Sequence, residues 1–124
     1  MKKITDLIRT LGVDYVVEQD TSGDWTYRKW NSGVAECWCD YSMGSFSPTG
    51  NFGGVYYRIL EKAFPTNFFI EPPEFAEVDI YWDTGSSWAS ARSVSKDVLQ
   101  FTAFKNSNSS YTATVRMMAK GKWK

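Results

Sequence analysis

The second half of the chain repeats one pattern, in which short stretches of alternating apolar and polar residues are separated by polar turns. The stretches are residues 75–83, 88–94, 98–104 and 111–119. Alternation with a period of two places the apolar side chains on one face of an extended strand. Strands with turns about 8–12 residues apart are typical of antiparallel sandwiches. We therefore predict an all-β fold, an antiparallel β-sandwich.

A β-hairpin is predicted for residues 25–38, which read Trp-Thr-Tyr-Arg-Lys-Trp-Asn-Ser-Gly-Val-Ala-Glu-Cys-Trp. The turn is Asn31-Ser32-Gly33, and both faces of the two arms carry bulky side chains. A strand with bulk on both faces is covered on both sides. We therefore expect Trp25, Trp30 and Trp38 to hold the sandwich or an oligomer together.

The middle of the chain is harder to assign. Residues 40–54 are rich in Gly and Ser and are predicted to form a loop, tethered by burial of the Phe46 and Phe52 rings. Residues 56–63 suit either a strand or one to two helical turns.

A short amphipathic helix is predicted at residues 3–11. Ile4, Leu7, Ile8 and Leu11 follow helical spacing, and Gly12 is a plausible stop. A helix this short is marginal alone in water, so its apolar stripe needs a partner. The partner is either its own domain or the same helix of neighbouring subunits in a short coiled coil. We divide the chain into this segment, residues 1–12, and a β-sandwich domain, residues 13–124.

Charge and hydropathy exclude two classes of partner. Lys plus Arg number 14 and Asp plus Glu number 14, so no basic surplus is available to neutralise phosphates, and nucleic acid is not expected. The sequence has no run of about 18 apolar residues, so membrane insertion is not expected. Asp6 and Arg9 interrupt what would be the apolar core of a signal peptide, so we expect an unprocessed chain.

No residue pattern predicts catalysis or a metal site. The chain has no histidine, which removes the commonest general base, and the spacing of its carboxylates selects no catalytic pair. Cys37 and Cys39 would share one face of a strand, too far apart for an ordinary disulfide, so we expect two free thiols. The spacing of Glu74, Glu77 and Asp79 matches no calcium loop. We expect neither an enzyme nor a metal or other cofactor.

The candidate ligand-binding residues surround a later turn. Trp82 and Trp88 flank the polar residues 83–87, with Tyr81, Asp83 and Arg92 close by. Aromatic rings stack on sugar rings, and nearby Asp and Arg side chains hydrogen-bond to sugar hydroxyls. The alternative is that Trp82 and Trp88 are core or interface residues.

The hairpin sequence resembles the start of C-terminal domains in tail-fibre, baseplate and receptor-binding proteins from phages and prophages of Gram-positive bacteria. Three later elements occur in the order that the family has them: residues 64–68 (Phe-Pro-Thr-Asn-Phe), 72–75 (Pro-Pro-Glu-Phe) and 121–124 (Gly-Lys-Trp-Lys). The resemblance covers about residues 15–124. The chain departs from the pattern where Cys39 replaces the usual glycine after Trp38, and where Lys122 replaces the usual arginine near the end.

The resemblance implies a non-enzymatic, jelly-roll or lectin-like head on a virion tail, cytoplasmic before assembly. It implies a homo-oligomer, in particular a trimer aligned by the N-terminal helix, that contacts other tail proteins and host cell-surface saccharide. Weak contacts from several heads would gain strength through avidity. Two alternatives stay open: a purely structural tail or assembly domain with no ligand, and a free carbohydrate-binding module.

Overall fold

Two antiparallel sheets make up the computed structural model, which describes residues 13–83 and 87–124. The strands in chain order are β1 (Val16–Ser22), β2 (Trp25–Trp30), β3 (Val34–Phe46), β4 (Gly50–Phe52), β5 (Val55–Ala63), β6 (Phe75–Asp83), β7 (Ser87–Val94), β8 (Val98–Lys105) and β9 (Tyr111–Lys122). The predicted all-β class with antiparallel sheets is confirmed. The predicted N-terminal helix, with Ile4, Leu7, Ile8 and Leu11, lies outside the described residues. Within the described part of the chain, no helix has the length and apolar character to cross a membrane.

The five-stranded sheet has the order β1-β2-β3-β9-β6, and the four-stranded sheet has the order β4-β5-β8-β7. One buried cluster takes side chains from both sheets, because alternate residues of the central strands point inward. Its fully buried members include Cys37 of β3, Leu99 and Phe101 of β8, and Val115 and Met117 of β9. This shared core is what holds the two sheets against each other.

The long strands β3 and β9 extend beyond the four-stranded sheet. Residues 64–74 cover the portion of the five-stranded sheet that the four-stranded sheet leaves uncovered. Phe68 packs edge-on against Tyr27 with ring centroids 5.2 Å apart, and against Phe69 at 4.8 Å. Phe64 contacts Trp25 at 5.5 Å. This aromatic segment therefore extends the core to the far end of the hairpin.

The hairpin turn is fixed by both flanking parts of the chain. Its Asn31 backbone N–H donates to the carbonyl of Tyr15 at 2.8 Å, and the Ser32 backbone N–H donates to the Asp14 carboxylate at 3.0 Å. From the other side, the Trp123 backbone N–H donates to the carbonyl of Gly33 at 2.9 Å. We call this region, residues 13–15, 30–34 and 122–124, the hairpin end of the molecule.

The opposite end holds the connection from β3 to β4 and the connection from β8 to β9. Ser47 and Ser110 share a hydrogen bond of 2.6 Å there, and the Arg58 guanidinium donates to the Ser47 carbonyl at 3.1 Å. We call this region, residues 46–56, 87–88 and 104–111, the groove end, because the candidate site begins there.

The middle of the chain differs from the sequence-based expectation. Residues 40–46 continue β3 along β9 instead of forming a loop, with a bulge between Ser42 and Ser45 where Gly44 has a φ of 67°. Residues 56–63 are strand, not helix. The expected burial of Phe52 is wrong, since its side chain is 80% exposed.

Candidate functional site

A row of aromatic side chains crosses the outer face of the four-stranded sheet near the groove end. Tyr57 of β5 and Trp88 of β7 both lie opposite Phe104 of the central strand β8. The rings of Trp88 and Phe104 stack, with centroids 5.5 Å apart and planes 14° from parallel. Three neighbouring strands thus each contribute one aromatic side chain to the same face.

The alternation of β8 explains why this row faces outward. Leu99, Phe101 and Ala103 are fully buried, so the intervening residues Thr102 and Phe104 project from the opposite face. The register then fixes their neighbours on β5 and β7, because directly paired residues in antiparallel strands point to the same side.

Gly50 makes room for one end of the row. It pairs with Tyr57 across β4 and β5, and the Tyr57 ring lies directly over it. A Cβ at position 50 would be 2.2 Å from Cζ of Tyr57. Only a residue without a side chain fits beneath the ring in this position.

The row forms the floor of an open groove of about 480 Å³. It is lined by Phe52, Val55, Tyr57, Trp88, Arg92, Thr102 and Phe104. Phe52 projects at the rim, and Trp88 is 44% exposed. Large apolar rings that are exposed together on one surface often mark an interaction site. We call these seven residues the aromatic groove.

Arg92 supplies the charge of the aromatic groove. It lies in an irregularity between Ala91 and Ser93, where β7 slips in register against β8. Such bulges re-aim side chains at sheet edges. Arg92 is exposed, and within residues 13–83 and 87–124 no ion pair or hydrogen bond to its side chain is recorded. The described lining of the groove contains no carboxylate.

Two of the five sequence-predicted ligand-binding residues, Trp88 and Arg92, come together in this groove. The backbones of Tyr81, Trp82 and Asp83 form the last residues of β6, in the other sheet. Trp82 pairs with Thr114, and Asp83 pairs with Ala113. The four predicted oligomer-interface residues, Ile4, Leu7, Ile8 and Leu11, lie outside the described residues.

Sequence reasoning missed Phe52, Tyr57 and Phe104. The alternation of β8 already separated Thr102 and Phe104 from Leu99, Phe101 and Ala103. That signal identifies a second face but does not say that it is exposed. The partners on β4 and β5 are about 50 residues away along the chain, so only the strand register brings them together.

A second groove, more polar, lies beside β2, β3 and β9 of the five-stranded sheet. It is lined by Asp24, Thr26, Trp38, Cys39, Asp40, Arg116, Met117 and Met118. Its charges are already paired: Arg116 contacts Asp40 at 3.0 Å, and Lys62 contacts Asp24. The Arg28 guanidinium lies 4.9 Å from the centroid of the Trp38 ring. A ligand entering here would have to compete with these contacts.

Neither cysteine is placed to react. Cys37 and Cys39 are free and buried on the inner face of β3. Burial raises the pKa of Cys37 far above its usual range and raises the pKa of Cys39 to about 11. The thiolate form is therefore scarce near neutral pH. Across the described residues, no group of three or more His, Cys, Asp or Glu side chains is arranged to hold a metal ion.

Comparison with known proteins finds similarity at the level of the fold. No protein-family model matches the chain, and no curated protein sequence matches it. Two solved structures are similar: an N-truncated R1-type pyocin tail fibre, and a C-terminal fragment of the P. aeruginosa R1 pyocin fibre. The first has a TM-score of 0.62 and 17% sequence identity, with 94% of each chain covered. The second has a TM-score of 0.61 and 17% identity, covering 94% of this chain and 31% of the fibre fragment.

At this identity the likeness establishes a shared fold, in this case that of a domain found in a tail fibre. The near-complete coverage on both sides of the first comparison means that the two chains share one whole domain rather than a common motif. The chain has the fold of a tail-fibre domain.

Proposed function

We propose that this chain is a receptor-binding head domain of a phage or prophage tail appendage, and that it contacts saccharide on the host cell surface through the aromatic groove. The shared fold with a pyocin tail fibre supports the location on a virion tail. We also propose a trimeric assembly, a lectin-like sandwich and no catalytic activity, because the resemblance of residues 15–124 implies them. The proposal of a Gram-positive host rests on the hairpin motif alone.

The observation that carries the proposal is the position of the aromatic groove. Its lining starts at the end of the sheets opposite to residues 13–15 and 122–124, which meet at the hairpin turn. A head attached to a tail through the hairpin end would turn the groove end towards the host. Exposed Trp88 and Phe52 rings then supply flat surfaces on which sugar rings stack.

The test is binding to host cells. The full chain, labelled with a fluorophore, is incubated with a panel of bacterial cell walls and isolated glycans. We expect saturable binding to a subset of them, weakened about fivefold or more by Trp88→Ala, by analogy with bases stacked on aromatic side chains, where one ring contributes about 1–3 kcal/mol. Binding to no envelope in the panel would contradict the receptor-binding function.

A purely structural role is the second candidate, because the groove is lined mostly by apolar side chains and Phe52 is 80% exposed. Apolar surface of this kind also occurs where subunits meet. In that case Trp88→Ala would lower the mass of the assembly in light scattering and leave no glycan interaction to lose. The same variant therefore separates the two candidates.

A further inference from the structure

The aromatic groove offers hydrogen-bond donors and lacks strong acceptors. Arg92 carries five N–H donors and no acceptor. Tyr57 and Thr102 contribute one hydroxyl each, and the other lining residues, Phe52, Val55, Trp88 and Phe104, contribute rings, a Val side chain and one indole N–H. A neutral sugar presents many hydroxyl donors, which carboxylate oxygens accept more strongly than the hydroxyls of Tyr57 and Thr102 do. The described lining has neither a carboxylate nor a side-chain amide, so a ligand that brings strong acceptors of its own suits this groove best.

Charge leads to the same conclusion. Arg92 is exposed at the rim with no recorded ion pair in the described parts of the chain, unlike Arg116 on the opposite sheet, which contacts Asp40 at 3.0 Å. An unpaired guanidinium is a planar donor fork that matches a carboxylate or a phosphate. The Arg92 head group is thus available to an anion, while the polar groove of the five-stranded sheet has already used its charges internally.

The rings define the rest of the ligand. Trp88 stacks on Phe104, which covers one face of its ring, and the 44% exposure of Trp88 leaves part of the ring open to the groove. Exposed aromatic rings suit the CH-rich faces of pyranose rings. A small inorganic anion would use Arg92 and leave the rings without a partner, so the groove as a whole fits an anion attached to a ring.

We propose that the aromatic groove binds an acidic saccharide, whose carboxylate or phosphate pairs with Arg92 while its sugar ring stacks on Trp88. This inference rests on the proposed function and narrows its ligand class. Carboxylate-bearing polysaccharides and phosphate-bearing wall polymers share this chemistry, and the experiment below distinguishes them.

The test compares matched acidic and neutral probes by calorimetry with the full chain. The first pair is trigalacturonic acid and its methyl ester, which keeps the rings and removes the charges. The second is a glycerol-phosphate oligomer carrying glucose, against free glucose oligomers. We expect binding of one acidic probe at least about tenfold tighter than its neutral partner, since a hydrogen bond to a charged group is stronger than one between neutral groups.

Two variants assign the effect to Arg92. Arg92→Gln keeps much of the reach of the side chain and removes its charge. It should weaken binding of the acidic probe about tenfold and leave binding of the neutral probe unchanged. Lys96→Gln removes the same charge from an exposed position after β7, outside the groove lining, and serves as the matched control with less than about a twofold change expected. Both variants change one exposed side chain, and their unfolding midpoints check that the fold is kept.

Each outcome decides. Equal binding of acidic and neutral probes, or unchanged binding in Arg92→Gln, overturns the acidic-saccharide inference and leaves the receptor-binding function standing. Absence of binding to every probe and to every cell wall in the panel overturns both. A loss of assembly mass in Trp88→Ala, with no glycan bound, assigns the groove to contact with a second copy of the chain and also overturns the inference.

Discussion

At the scale of single residues, Trp25 joins the two sheets through its ring and its indole N–H. The side chain is 3% exposed, packs on Phe64, and donates from Nε1 to the carbonyl of Ala63 at 2.7 Å. Ala63 ends β5 of the four-stranded sheet, and Trp25 begins β2 of the five-stranded sheet. One side chain therefore contributes both apolar burial and a hydrogen bond between the sheets.

We expect Trp25→Phe to lower the free energy of unfolding by about 2–4 kcal/mol, because it removes buried ring volume and leaves the Ala63 carbonyl without its donor. Urea unfolding followed by circular dichroism measures the change. Trp88→Phe is the matched control, since it makes the same exchange on a half-exposed ring, and we expect a loss below about 1 kcal/mol. Equal losses in both variants would contradict the assigned role of Trp25.

Gly50 is the second residue whose identity has a consequence for the site. We expect Gly50→Ala to displace the Tyr57 ring, because the Cβ of the new alanine would lie 2.2 Å from that ring. The displacement should lower the free energy of unfolding and weaken saccharide binding. The loss of stability should be largely absent when Tyr57→Ala is present as well, since the alanine Cβ then meets no ring. A double-mutant cycle in urea measures this coupling, and additive losses would argue against the close approach.

At the scale of elements, the hairpin turn depends on a carboxylate. Asp14 accepts hydrogen bonds from the backbone and the hydroxyl of Ser32. These bonds, the Ser32 hydroxyl first, lower the pKa of Asp14 below its usual value. A lowered carboxyl pKa means that the stabilisation is complete above the unfolded-state pKa and is lost as pH falls through the folded-state pKa.

We therefore expect Asp14→Asn to flatten the acid limb of the melting-temperature profile, since it removes the group whose protonation releases the turn. The measurement is thermal unfolding of both proteins from about pH 6 to pH 2. Asp97→Asn, at an exposed position away from the hairpin end, is the control and should keep the wild-type profile. A profile for Asp14→Asn that parallels the wild type would count against the turn contact as a source of pH dependence.

The strands show which parts of the fold local sequence determines. Period-two alternation predicted β6 to β9 nearly to their observed bounds, because one face of each strand packs, fully or partly buried, against the core. The same reasoning failed for residues 40–46, where Gly44 and the serines give a loop-like composition although β9 provides a partner for the backbone. For Phe52, hydrophobicity predicted burial, but the ring sits on the three-residue edge strand β4 and is 80% exposed. Local composition cannot reveal a strand partner that follows about 65–76 residues later in the chain.

The candidate site was likewise only partly predictable from local sequence. Trp88 and Arg92 were identified from residues near one turn, and the structure brings both into the groove. Tyr57 and Phe104 complete the aromatic row only because β5 and β7 flank β8. No local sequence pattern predicts this strand order. Two of the seven lining residues were therefore predictable from neighbours in sequence, and the other five come together only through strand order.

At the scale of the whole molecule, assembly is predicted to depend on residues 1–12. We expect the full chain to run as a trimer in size-exclusion chromatography with light scattering, and Leu7→Asp to lower the mass towards a monomer, because a charge in an apolar seam is costly. Thr5→Asp, outside the Ile4, Leu7, Ile8 and Leu11 stripe, is the matched control and should keep the trimer. An unchanged mass in Leu7→Asp would remove the stripe as the assembly element.

The arrangement of the two ends bears on how the domain carries force. If the domain is attached at the hairpin end and binds its ligand in the groove, as proposed, a pull between cell and particle would run along the strands. The hydrogen bonds between antiparallel strands are perpendicular to that direction, so the pull shears many of them at once instead of opening them one at a time. The 11 paired positions that join β3 to β9 share such a load. The five-stranded sheet, which ends at the hairpin turn, is therefore oriented to resist a pull on the groove of the neighbouring four-stranded sheet.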